Sequence, residues 1–155
     1  MNTDSESIIY SKNIIEFVTV SAEYSSYIEN FGSDSRSIFI SRLHKTLTLL
    51  YLKASLIPEV DAILDSPIEK FLTEEDWIRL KTALNLHLGP LDIFVEVSEP
   101  DSQIEDEEIS VTISECLADI YQDISDFIRL FQVGSMEIMN DAVWECKQNF
   151  ERYWG

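Results

Sequence analysis

The sequence predicts an all-α fold, an antiparallel bundle of four long helices and one short helix forming a single domain over residues 1–155. Three observations predict it. Apolar residues recur at steps of three and four through most of the chain, the period of a helix that buries one face. Only four Gly and four Pro punctuate 155 residues, too few for the turns of an all-β protein. With 45% apolar residues, a chain of this length buries about two-thirds of its unfolded surface in one core.

The first helix is expected over Ser5–Asn30, with Ile14, Val18, Ala22, Ser25 and Ile28 as its stripe and Phe31 closing it. Tyr10, Tyr24 and Tyr27 are expected to pack their rings while their hydroxyls stay wet. Gly32-Ser33-Asp34-Ser35 is turn chemistry. A second helix follows over Ser37–Ile57, with Ile40, Leu43, Leu47, Leu50, Ala54 and Ile57 in heptad-like spacing. Leu49, Leu52 and Leu56 widen that face until little polar surface remains, so this helix is expected to be the most buried. Pro58 ends it, because its ring pushes Ile57 out of the helical region.

Residues 58–72 hold two prolines and predict one short helical turn near Val60–Leu64. Thr73-Glu74-Glu75-Asp76 is a strong helix start, a capping side chain followed by three acids in the first turn. Trp77, Leu80, Leu84 and Leu88 carry its stripe, and Gly89-Pro90 stops it. Residues 91–100 have β-like alternation but no evident partner, so they read as an extended connector or a short helical turn. The longest helix is expected over Ile104–Phe131, around which the chain is organised. Its apolar stripe is Ile113, Leu117, Ile120, Ile124, Phe127 or Ile128, and Phe131; an acidic stripe of Glu115, Asp119, Asp123 and Asp126 runs nearly opposite. After Gly134 the last helix runs from Ser135 to Trp154, with Met136, Met139, Val143, Cys146, Phe150 and Trp154 inward and Trp144 off the stripe.

The net charge is −18, and it is uneven. Residues 1–72 carry 10 acids and 6 bases; residues 73–155 carry 19 acids and 5 bases. Such a field repels nucleic acid and anionic membrane and favours a basic protein partner or divalent cations. No apolar run is long enough to span a bilayer. The start MNTDSES is acidic where a secretory signal is basic and then apolar, so a cytoplasmic location is expected.

Few chemical constellations stand out. Glu115, Asp119 and Asp123 at i, i+4, i+8 place three carboxylates on one helix face, the weak candidate for a Mg²⁺ or Mn²⁺ site. Such a site usually needs an acid pair from a second helix and a base for the phosphates; Arg129 and Lys147 are the only bases from residue 82 to 151, and a solvated acidic face is the simpler reading. No other cofactor is indicated. Packed antiparallel about Gly134, Cys116 and Cys146 fall 6 residues out of step. That is about 9 Å at about 1.5 Å per residue, beyond the about 7 Å reach of a disulfide. His44 and His87 stand alone, and no serine sits in a nucleophile elbow. No complete catalytic set emerges.

The stretch Ile113-Ser114-Glu115-Cys116-Leu117-Ala118-Asp119-Ile120-Tyr121-Gln122-Asp123-Ile124 resembles the most recognisable motif of a bacterial family of uncharacterised acidic helical proteins, a domain of unknown function. In that family an acidic pair precedes Leu-Ala-Asp-Ile, then an aromatic, then Asp-Leu. Ala142-Val143-Trp144, Phe150 and Trp154-Gly155 are similar to its second motif, and Phe94 to Pro100 to its connector. The resemblance covers roughly residues 73–155. Cys116 departs from an expected Asp, and Glu99 from an expected Asp before Pro100. Losing an acid to Cys116 would weaken any metal site. Family members are expected to continue past Trp-Gly into a further helical stretch. The resemblance implies an all-α domain and no activity. The expectation is therefore a protein-interaction or adaptor module, its acidic half facing a basic partner, with Tyr121 and Trp144 as aromatic anchors. A homodimer burying the wide apolar faces of helices one and two is a further expectation.

Overall fold

The computed structural model describes residues 3–65, 68–96 and 109–155. They form an all-α bundle, as expected, with one small antiparallel hairpin added. In chain order the elements are α1 (Thr3–Ile9), α2 (Lys12–Asn30), α3 (Arg36–Ser55), α4 (Glu74–Leu88), β1 (Ile93–Glu96), β2 (Ile109–Thr112), α5 (Ile113–Val133) and α6 (Met136–Asn149). A wider π turn over Phe150–Trp154 finishes the chain.

The expected first helix is two. Ser11 takes an extended conformation and restarts the chain as the N-cap of α2. The stripe of α2 also slips. Ile14, Phe17, Ser21, Tyr24 and Ile28 face inward, while Ala22 is exposed. Tyr24 is wholly buried, and its hydroxyl donates to the Leu117 carbonyl at 2.9 Å rather than to water.

The most buried helix is α5, not α3. Helix α5 packs against α2, α4 and α6. Leu117, Ala118, Ile120, Tyr121, Ile124, Phe127 and Leu130 are all buried. Helix α3 lies at the edge and packs mainly on α2. Its inward face is Phe39, Leu43, Leu50 and Ala54, and Ile38, Ile40, Leu49, Leu52 and Leu56 stay exposed. Apolarity on all sides therefore does not place α3 at the centre. A helix is buried by the number of elements it meets, and α3 meets few.

Helix α5 begins at Ile113 rather than Ile104. Residues 104–108 lie outside the described residues, and 109–112 are extended. Strand β2 pairs antiparallel with β1, Ile93 opposite Thr112 and Glu96 opposite Ile109. The β-like stretch thus has its partner inside the run that reads as helix. Thr112 caps α5, accepting from the Glu115 N–H at 3.2 Å. Asp92, wholly buried, accepts from the Ser114 N–H and hydroxyl at 2.6 Å each and from the Asn85 amide at 2.6 Å. It ties the end of α4 to the start of α5, where the helix dipole favours a negative charge. At the far end Gly134 adopts φ +86°, the left-handed C′ conformation that glycine takes most readily.

Residues 58–64 contain no helical turn. The N–H groups of Ile63 and Leu64 are taken by the two Asp141 oxygens, each at 2.7 Å. The N–H groups of Phe71 and Leu72 go to one Asp126 oxygen at 3.0 and 3.1 Å. Backbone donors claimed by carboxylates are not available to a helix. This long connection is strapped to α5 and α6 by two buried acids, 4% and 2% exposed. Asp126 accordingly leaves the solvated stripe assigned to it. At Thr73 the expected cap is present as a full capping box with Asp76.

Candidate functional site

The acidic stripe of α5 is most open at Asp119 and sinks into the fold from there. Glu115 is half-buried, Asp119 is open to solvent, Asp123 is half-buried and Asp126 is buried. Each has its own partner. Glu115 pairs with Lys81 of α4 at 2.9 Å, and that ammonium holds its carboxyl below the usual range. Asp119 accepts the indole N–H of Trp77, also from α4, at 2.9 Å. Asp123 accepts the Asn149 amide of α6 at 3.3 Å.

Asp119 and Asp123 line a cleft of about 340 Å³ with Cys116, Ile120, Gln122, Tyr153 and Trp154. Its wall opposite α5 is the terminal π turn. A wider turn is uncommon in proteins and frequent at functional sites. Here it swings Tyr153 and Trp154 to the acidic side of α5, and Trp154 meets Phe150 edge-on at 4.9 Å between ring centres. The Trp154 indole N–H is shut off from solvent and has no acceptor among the described residues.

The electrostatics are unbalanced. Burial pushes the Asp123 carboxyl up to about 6; the charges of Glu145, Asp119 and Asp126 add to this, and Lys70 opposes it. Lys70 is engaged by Glu145 at 2.6 Å. Loss of hydration raises Asp119 as well, with Glu115 adding, against the Trp77 hydrogen bond that favours its charge. Two carboxylates four residues apart, about 5–6 Å between their Cβ atoms, thus border an aromatic-walled cleft whose described lining holds no cation. Among the described residues, no three His, Cys, Asp or Glu side chains converge as a metal-binding group.

Tyr121, expected as an aromatic anchor, is largely buried. It is 8% exposed, and its hydroxyl donates to Glu29 at 2.6 Å, joining α5 to α2. Burial and that carboxylate push its phenol up to about 12. Trp144 is half-buried on α6 and does not line the cleft. The aromatics at the cleft are Tyr153 and Trp154, and Trp77 reaches its rim through Asp119. Sequence periodicity places Trp77 and Trp154 inward but cannot pair either with an aspartate across the bundle. No disulfide joins Cys116 to Cys146, which is buried on α6. The His87 ring packs edge-on against Phe31 and Phe39, the core-edge role its isolation suggests. No helix among the described residues is long and apolar enough to cross a membrane.

The fold and cleft define an all-α domain with an acidic, aromatic recess. The family model for a domain of unknown function, DUF5063, matches residues 8–155, and the chain belongs to that family. The match takes in α2 and α3, beyond the C-terminal half that carries the motif resemblance. The chain is similar to the crystal structure of protein BF1032 from Bacteroides fragilis, at 43% identity and a TM-score of 0.84. That similarity covers 96% of this chain and 86% of the other. A search of curated proteins finds no match.

Proposed function

We propose that this domain is a protein-recognition module that receives a lysine or arginine side chain of a basic partner in the cleft between α5 and the terminal π turn. The observation that carries this reading is the pairing of Asp119 and Asp123 with Trp154 and Tyr153 around one recess of about 340 Å³. Carboxylates attract a cation, and aromatic faces attract it again through their quadrupoles. A cation bound there stabilises the charged form of two aspartates that lost hydration raises. The volume lies at the small end of the about 300–1,000 Å³ typical of ligand clefts, a size suited to one long side chain. The charge of −18 steers basic partners toward the molecule.

The test is a titration of tryptophan fluorescence with decalysine and decaarginine at low salt, with decaglutamate as the control. Binding of the cationic peptides should weaken about tenfold or more in Asp123→Asn and in Asp119→Asn, about 1.4 kcal/mol or more. It should hold in Glu74→Gln, which removes an exposed acid of α4. Equal weakening in all three variants would mean only diffuse attraction to an acidic surface. A melting-point rise in millimolar Mg²⁺ or Mn²⁺ alone, lost in Asp119→Asn, would give the cleft to a divalent ion instead.

A further inference from the structure

Helix α3 carries a second seam. Its inward face packs on α2, but Ile38, Arg42, Lys45, Leu49, Leu52 and Leu56 step along the opposite side at 4-3-4-3-4 intervals. That is the heptad spacing of a helix expecting another helix. Ile38, Leu49, Leu52 and Leu56 are 44–51% exposed, and no described element covers them. The same helix is the basic part of an acidic chain. Arg36, Arg42, Lys45 and Lys53 fall within residues 36–57, and no acid does. Lys53 is engaged by Glu16 and Arg42 by Asp34, while Lys45 has no ion pair among the described residues.

We infer that α3 is a self-association surface, pairing antiparallel with α3 of a second copy of this chain. Charge selects both the occupant and the direction. Two molecules of −18 repel over most of their surfaces, and residues 36–57 are where two copies meet without setting acid against acid. A parallel pair would stack Arg42 and Lys45 on their own counterparts, a like-charge arrangement. An antiparallel pair centred between Leu49 and Leu52 sets those leucines against each other. It lays the Lys45 stem over Leu56, apolar carbon on apolar carbon. It also points Arg42 at the chain leaving the partner helix, where Glu59, paired with Lys147 of its own chain, keeps its side chain 87% exposed and able to accept a second cation. The contact is isologous, so it closes at a dimer. The acidic cleft is lined by α5 and the terminal turn, so the inference does not depend on the proposed function.

Sedimentation equilibrium from about 5 to 200 µM tests it, with the full chain in each case. The wild type should fit a monomer–dimer equilibrium. Leu52→Glu and Leu49→Glu should each raise the dimer dissociation constant about tenfold or more with unchanged helical circular dichroism, since both side chains already face solvent. Leu86→Glu, at a position 76% exposed on α4, should leave the dimer intact. Arg42→Glu should weaken it. A wild type that stays monomeric at the top concentration overturns the inference, as does a dimer indifferent to both leucine substitutions. A dimer lost with Leu52→Glu but untouched by Arg42→Glu overturns the antiparallel register.

Discussion

Trp77 of α4 donates its indole N–H to Asp119 of α5 at 2.9 Å, across 42 positions of sequence. The bond holds the rim of the acidic cleft to a helix that does not itself line it. It also favours the charged form of an aspartate that dehydration pushes the other way. Trp77→Phe keeps most of the ring and deletes the donor. Asp119 should then titrate at higher pH than in the wild type, visible in the carboxyl carbon shift by NMR. The stability loss should be modest, about 1 kcal/mol or less, because the Asp119 side chain borders solvent and water can take the place of the indole. An unmoved Asp119 titration would mean that the bond is not populated in solution.

The Asp141 carboxylate is expected to matter more to stability than any acid of the cleft. It is 2% exposed and satisfies the Ile63 and Leu64 N–H groups together. Asp141→Ala leaves both part-buried donors without a partner and frees a connection that has no helix to fall back on. A loss of about 2–4 kcal/mol in urea denaturation is expected. Hydrogen exchange at Ile63 and Leu64 should accelerate beyond what the global loss explains, because the strap opens locally. Equal acceleration throughout the chain would place the cost elsewhere.

Tyr24→Phe isolates one hydrogen bond. The ring is fully buried between α2 and α5, and its hydroxyl donates to the Leu117 carbonyl. That carbonyl belongs to the α5 ladder and keeps a helical donor. The expected loss is about 1 kcal/mol, read from the denaturation midpoint at unchanged slope. A larger loss, or a changed slope, would mean that the ring repacks.

What sequence reveals here is what local chemistry decides. The Thr73 cap, the Gly134 stop and the inward faces of α5 and α6 follow from neighbours within four or five residues. Elements decided at long range were hidden. Strand β1 pairs with residues 109–112, and that partner reads as the start of a helix because Ile109, Ile113 and Leu117 also fit a helical period. Asp126 and Asp141 carry the same side chain as Asp119, and nothing local marks them as buried. Their burial is tolerated because distant backbone donors reach them, and those donors belong to a segment without periodicity. Helix α3 misleads for the opposite reason: its breadth of leucine suggests a centre, while its place in the bundle is an edge. Of the cleft, the aspartates were legible as a ladder. The aromatic wall was not, since it depends on the last turn widening.

The Asp123 carboxyl makes a pH-dependent prediction whose sign follows from its environment. Its folded-state value lies at about 6, above the ordinary 3.8. The folded chain therefore holds this proton more tightly than the unfolded chain. The group's destabilising contribution is absent below about pH 4, grows as pH rises to about 6, and is constant above. Asp123→Asn removes the charge and keeps an oxygen for the Asn149 amide. The variant should match the wild type near pH 4 and exceed it at pH 7 by about 1–2 kcal/mol, a figure discounted for the water that reaches this half-buried group. Urea denaturation of both proteins at intervals from pH 4 to 7 checks this; a difference that does not change with pH would remove the perturbed carboxyl from the account. The same titration bears on recognition. A cationic side chain entering the cleft stabilises the charged form, so decalysine binding near pH 5.5 should release a proton. The calorimetric enthalpy should then depend on the ionisation enthalpy of the buffer at that pH, and lose that dependence at pH 7.5, where Asp123 is already charged.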